Sequence, residues 1–110
     1  MNANEYQVLA SRTMNRELTS KEELDHALFG MSGEVGEIHS IYQKEMQGHP
    51  IDLEHVRKEC GDLLWFIAEL HTHYGWDLEG TMSMNIEKLK ERYPNGFDAN
   101  QSLHRKANDI

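Results

Sequence analysis

Two short acidic pairs hold the most chemistry in this chain. Glu34 and Glu37 sit in GEVGE, and Glu59 and Asp62 sit in ECGD. Each pair is spaced i, i+3, which on a helix sets both carboxylates on one face about one turn apart. Each also lies in a segment whose apolar residues repeat as in a core-facing helix. Carboxylates so near an apolar seam are costly unless a cation offsets them. Two such helices packed antiparallel would bring four anions to one place. Clustered anions repel, and a hard divalent cation with oxygen ligands relieves the repulsion. The pattern therefore predicts a magnesium site between two helices, with manganese able to substitute. The competing reading is four solvated flank positions on a helical bundle, because a lone ExxE is common on surface helices.

A second group could hold an anion. Asn85, Lys88 and Arg92 fall at i, i+3, i+7, giving one amide and two cations in a row. Such a row suits phosphate oxygens, with arginine able to grip in a bidentate way. Lys44 lies two turns beyond Glu37 on the acidic row and could do the same. The plainer account of Lys88 and Arg92 is a pair of helix-end cations favoured by the helix dipole. Trp65 and Phe66 follow Asp62 by three and four residues, and Trp76 comes later. A planar base could stack on one of them. Phe66 is the first choice, because it shares the row of Glu59 and Asp62; core packing is the alternative for all three.

The elements that must position these residues read as helices. Residues 3 to about 14 carry a loose stripe of Tyr6, Leu9, Ala10 and Met14. Thr19-Ser20 supplies an N-cap, with Glu23 as capping-box partner of Ser20. From there to about Gln47, Leu24, Leu28, Met31, Val35, Ile38 and Tyr42 form a heptad-like seam. Beside it runs a row of Gly30, Glu34, Glu37, Ile41 and Lys44. Gly30, Gly33 and Gly36 each cost a helix ~1 kcal/mol against alanine. They call for a close neighbour, for room beside the acids, or for a break in the helix near Gly33. Gly48-His49-Pro50 is a turn. The next helix starts at Asp52 and runs to about Tyr74, with a seam of Leu53, Val56, Cys60, Leu63, Ile67, Leu70 and Tyr74. Its adjoining row is His55, Glu59, Asp62, Phe66 and Glu69. Gly75 stops it. Asp77 caps a helix to about Tyr93, with Leu78, Met82, Ile86 and Leu89 facing inward. Pro94-Asn95-Gly96 ends the regular structure. The tail 98–110 is polar, and is expected to be loosely ordered or packed on a partner chain. No stretch reads as a strand. The expected fold is all-α: an antiparallel bundle of four to five helices, two of them long and central, forming a single domain over 1–110.

The totals narrow the function. At 110 residues the core is modest, so association would help stability. A net charge of −8 argues against a sequence-independent grip on nucleic acid and against a polybasic membrane contact. An acidic protein can still hold a phosphate substrate if metal ions supply local positive charge. One cysteine allows no disulfide within the chain, and Cys60 falls on the seam as a small hydrophobe. A reducing, cytoplasmic setting fits. The start, MNANEYQ, lacks the charged and apolar regions of a signal peptide, and no apolar run approaches the ~20 residues of a membrane span. The seven histidines lack zinc-site spacing and read mostly as surface residues.

GEVGE, then ECGDLLWFIAEL, then NIEKLKERYPNGF, taken together, resemble the MazG-type nucleotide pyrophosphohydrolases of the all-α NTP pyrophosphatase superfamily. The likeness covers residues 28 to 97. It implies a helical dimer, or a tetramer built from dimers, with sites completed across the interface. It implies magnesium-dependent hydrolysis of nucleoside triphosphates, often deoxy forms, to the monophosphate and pyrophosphate. By the same resemblance Glu34, Glu37, Glu59 and Asp62 are metal ligands, and Asn85 and Lys88 contact substrate phosphates. Arg92 and Tyr93 also match, without a fixed role, and Lys44 fits a recurrent lysine. Two other functions stay open. One is a narrower pyrophosphohydrolase, for dUTP, dCTP or phosphoribosyl-ATP, with Phe66, Trp65 and His26 deciding the base. The other is a non-catalytic helical assembly module.

Overall fold

Each helix begins where a side chain can satisfy its free N–H groups. The computed structural model describes residues 1–110. Helix α1 spans Ala3–Ser11 and is capped by Asn2, with Glu5 closing a capping box. Helix α2 spans Ser20–Met46. Its N-cap is Thr19 and its capping-box partner is Glu22, one residue earlier than the Ser20–Glu23 pair expected from sequence. Helix α3, Leu53–Tyr74, is capped by Asp52. It ends at Gly75 with φ 72°, a left-handed conformation that glycine adopts without a Cβ penalty. Helix α4, Leu78–Arg92, starts at Asp77, and α5, Ala99–Leu103, starts at Asp98. The fold is all-α. Helix α2 runs unbroken through Gly33, and no helix is long and apolar enough to cross a membrane.

The centre is the α2–α3 hairpin. Its register is read from side-chain partners: Glu23 with His73, His26 with Glu69, Gly30 against Phe66, and Glu34 beside Glu59. Those positions belong to the row beside the heptad seam, not to the seam itself. Leu28, Val35 and Tyr42 of the α2 seam are exposed, as are Leu53, Cys60 and Tyr74 of α3. Cys60 is therefore no core residue. The reason is steric: interaxial distance follows the side chains at the contact. Ala27 and Gly30 are small, so α2 meets α3 along this row, while Leu24, Met31, Ile38, Val56, Leu63, Ile67 and Leu70 of the seams are half-buried beside it.

Helix α1 lies across α3, held by the Trp65 indole N–H, which donates to the Thr13 hydroxyl at 2.8 Å and the Ala10 carbonyl at 3.1 Å. It also ties the α3–α4 corner. Gln7 donates to the Trp76 carbonyl and accepts from the Leu78 N–H, both at 2.8 Å. Helix α4 packs on α1 and has no extended face against the hairpin. Met82 and Ile86, expected to face inward, are consequently exposed at 56% and 51%. The radius of gyration is 17.5 Å, against roughly 13 Å for a compact chain of this length.

The segment 98–110 carries the short helix α5 and returns to α4, where Asp109 pairs with Arg92. Most of the histidines are exposed, as expected, but His71 and His73 are not. His71 is buried: its Nδ1–H donates to the Ile67 carbonyl at 2.8 Å, leaving Nε2 to accept from the Thr81 hydroxyl at 2.7 Å. His26 and His73 bridge the hairpin.

Candidate metal centre

Three of the four sequence-picked carboxylates converge. Oxygen atoms of Glu34, Glu59 and Asp62 lie within 4.8 Å of one another, between the middle of α2 and the first half of α3. The i, i+3 spacing brings Glu59 and Asp62 onto one face of α3, and the antiparallel register brings Glu34 to them. Glu37 lies outside this trio, exposed one turn along α2, yet its charge still acts on Glu34.

The electrostatics of the trio are one-sided. Glu34 is pushed up to about 7, first by a proton shared with Glu59, then by burial, then by the charges of Glu59, Asp62 and Glu37. Every charge in that set is another carboxylate. Glu59 is correspondingly held below the usual range, first by Glu34 and also by His55, whose Nε2 lies 3.0 Å from its carboxylate. The two acids therefore titrate as a pair. Glu34 Oε2 is buried and no donor reaches it. An orphaned buried carboxylate oxygen beside two more carboxylates is a donor set that fits a hard divalent cation.

A pH dependence follows. In the unfolded chain Glu34 ionises near 4.5; in the fold it keeps its proton to about 7. The folded state thus binds the extra proton, so its stability is highest below 4.5 and falls as pH rises to about 7. Glu59 is shifted the other way, and its contribution is already complete above its unfolded pKa. With chelator present, the melting temperature should drop between pH 5 and pH 7.5 and then level off. A divalent cation needs both acids ionised, so the rise in melting temperature on adding magnesium should be larger at pH 8 than at pH 5.5. Equal magnesium effects at both values would contradict the shared proton.

The α2–α3 contact continues away from the acids. Phe66 lies over Gly30, where any Cβ would overlap its ring, and touches His26 and Trp65 with centroids 5.4 Å and 5.1 Å away. Beyond it, His26 Nδ1 donates to both oxygens of Glu69, at 2.8 and 3.0 Å, and the Glu69 side chain is 1% exposed. One turn further, His73 and Glu23 meet at 3.0 Å. A buried charge needs such partners, so the histidines at this end do what no side chain does for Glu34. Gly33, Gly36 and Gly61 face open space, so no contact within the chain accounts for them.

The other candidates are elsewhere. Lys44 is exposed in the last turn of α2. Asn85, Lys88, Arg92 and Tyr93 belong to α4 and its end, and α4 turns away from the hairpin. Arg92 is already engaged: Nε and Nη2 donate to the two oxygens of Asp109, each at 2.7 Å. Tyr93 packs against Phe97, with centroids 5.4 Å apart. Sequence reasoning missed Tyr6, whose phenol is raised by burial and then by the charge of Asp62. It also gave no partner to Glu69, although that residue continues the acidic row of α3.

Fold and site together define a class: an all-α protein with a carboxylate cluster between two antiparallel helices. The family model for the MazG nucleotide pyrophosphohydrolase domain matches residues 22–97, and the chain belongs to that family. No curated protein and no solved structure matches the chain.

Proposed function

We propose that this protein hydrolyses nucleoside triphosphates to the monophosphate and pyrophosphate with magnesium, as a nucleotide-pool enzyme of the cytoplasm. One observation carries the reading: Glu34, Glu59 and Asp62 crowd together, and the charges that act on Glu34 are all carboxylates, inside the segment that matches the family. Glu34, Glu59 and Asp62 would hold the cation, with Glu37 completing the set. When bound, magnesium would offset phosphate charge and acidify a water. The chain's own part is to aim the ligands and to accept a proton. Glu37 is the freer acid on that face and is the candidate to take it; Glu34 gives up its shared proton when the site fills. Phe66 offers a ring edge to the base beside the cluster. Lys88, Asn85 and Arg92 would hold the leaving phosphates.

Those last residues sit on α4, which does not reach the cluster of its own chain, and α4 leaves apolar side chains exposed. Both facts support an oligomer in which α4 of one copy serves the hairpin of another, as a homodimer or a dimer of dimers. The test is pyrophosphate release from a panel of ribo- and deoxynucleoside triphosphates with magnesium, then with manganese. Turnover that disappears with chelator and returns with either metal is expected. No release from any nucleotide would reject the reading. A fast reaction confined to dUTP, dCTP or phosphoribosyl-ATP would place the protein among the narrower enzymes.

A further inference from the structure

The chain has 11 lysines and arginines against 19 acids, yet four of those cations line one cavity. It lies between the end of α4 and the segment after α5 and measures about 170 Å³, far above the ~15 Å³ one water needs. Lys88 and Arg92 come from α4, and Arg105 and Lys106 come from the returning segment. Only Glu91 and Asp109 oppose them. Asp109 grips Arg92 through two parallel N–H bonds of 2.7 Å, with both side chains largely covered, at 11% and 15% exposure. That fork is how a guanidinium holds a phosphate. The carboxylate of Asp109 is held below its ordinary range by Arg92 first, and then by the charges of Arg105 and Lys88. One carboxylate thus sits where several cations point.

We propose that this cavity is a polyphosphate site, that Arg105 and Lys106 bind phosphate alongside Lys88 and Arg92, and that Asp109 is an internal anion that phosphate must displace. The proposal rests on the reading of a polyphosphate substrate above, but extends the binding residues to a segment outside the matched region 22–97. It makes the Asp109 carboxylate and phosphate compete for the same guanidinium, while the rest of the returning segment stays in place. A polyphosphate brings more negative charge and more acceptor oxygens than one carboxylate, so it can win when its concentration is high enough.

Calorimetric titration of pyrophosphate and of tripolyphosphate into the full chain, without metal and without turnover, tests this. D109N should bind both at least about fivefold more tightly than the parent, the effect expected when one nearby like charge is removed. R105Q/K106Q should bind about tenfold more weakly, and its loss should shrink as salt rises. K21Q, which removes an exposed cation at the start of α2 outside the cavity, should bind as the parent does. Unchanged or weaker binding by D109N would show the Asp109 pair to be a structural clasp, and unchanged binding by R105Q/K106Q would remove the site. Failure of hydrolysis leaves these titrations intact, so the two readings fall separately.

Discussion

Glu34→Gln should nearly abolish pyrophosphate release while raising the stability of the metal-free protein. The two effects share one cause. Glu34 keeps its shape as glutamine but no longer brings a charge to Glu59 and Asp62. The proton shared with Glu59, burial and the neighbouring carboxylates together lift Glu34 to about 7; glutamine has no charge to bury or to repel, so the chelator-treated variant should melt above the parent at pH 8. The same charge is what a divalent cation would bind. Loss of a single preorganised group at a reacting centre costs about 100- to 1000-fold, and loss of a ligand that places the cation should cost at least the upper figure. Asp62→Asn should reduce turnover similarly. It should raise stability less, because Asp62 is exposed and solvent already screens it. Melting with chelator and with magnesium, set beside initial rates, gives both readouts. A variant that loses stability as well as activity would mark Glu34 as a structural acid, and one that keeps its rate would remove it from the site. This opposition of stability and activity is common where a site holds unfavourable charge for a purpose.

Local chemistry was readable from the sequence, and the approach of one helix to another was not. Thr19, Asp52 and Asp77 announced their helices because an N-cap depends on a few adjacent residues. The acidic pairs were visible for the same reason: i, i+3 spacing is a property of one helix. Their meeting followed from an antiparallel hairpin, which the GHP turn between two long periodic segments implied. The row that faces inward was misjudged. The heptad seam is the more hydrophobic, and periodicity favours it, but the helices meet where Ala27 and Gly30 allow close contact. Leu28, Val35, Tyr42, Leu53, Cys60 and Tyr74 of the seams then stay exposed.

Long-range pairs were invisible for a different reason. His26 and Glu69 are 43 residues apart, His73 and Glu23 are 50 apart, and Tyr6 meets the field of Asp62 from another helix. Nothing in either partner's neighbourhood names the other. The pairing of Arg92 with Asp109 belongs to the same class. A polar tail following Pro94-Asn95-Gly96 carries no apolar periodicity, and what orders it is an ion pair formed only after the chain reverses. Asn85, Lys88 and Arg92 do share helix α4, while the partner of its arginine, Asp109, was missed.

Gly30→Ala should destabilise the protein, although alanine is the better helix former. The gain in propensity is ~1 kcal/mol. Against it stands the Phe66 ring, which occupies the place of the new methyl and is wedged between His26 and Trp65. Overpacking of this kind costs about 1–3 kcal/mol, so the net change is a loss of up to about 2 kcal/mol. At roughly 4–8 °C per kcal/mol for a domain of this size, the melting temperature should fall by several degrees. Gly33→Ala supplies the control: its methyl meets open space, so the same change three residues on should be neutral or stabilising. Truncating the ring separates the clash from everything else. In a Phe66→Ala background, Gly30→Ala should become harmless, giving a coupling of about 1 kcal/mol or more, as contacting residues show. Additive effects of the two changes would mean that the ring does not press on Gly30. Phe66 also follows Asp62 by one turn of α3 and is the side chain proposed to meet the base, so Gly30→Ala should raise KM through the displaced ring more than it lowers kcat. A variant that changes kcat alone would place Phe66 outside the base-binding surface.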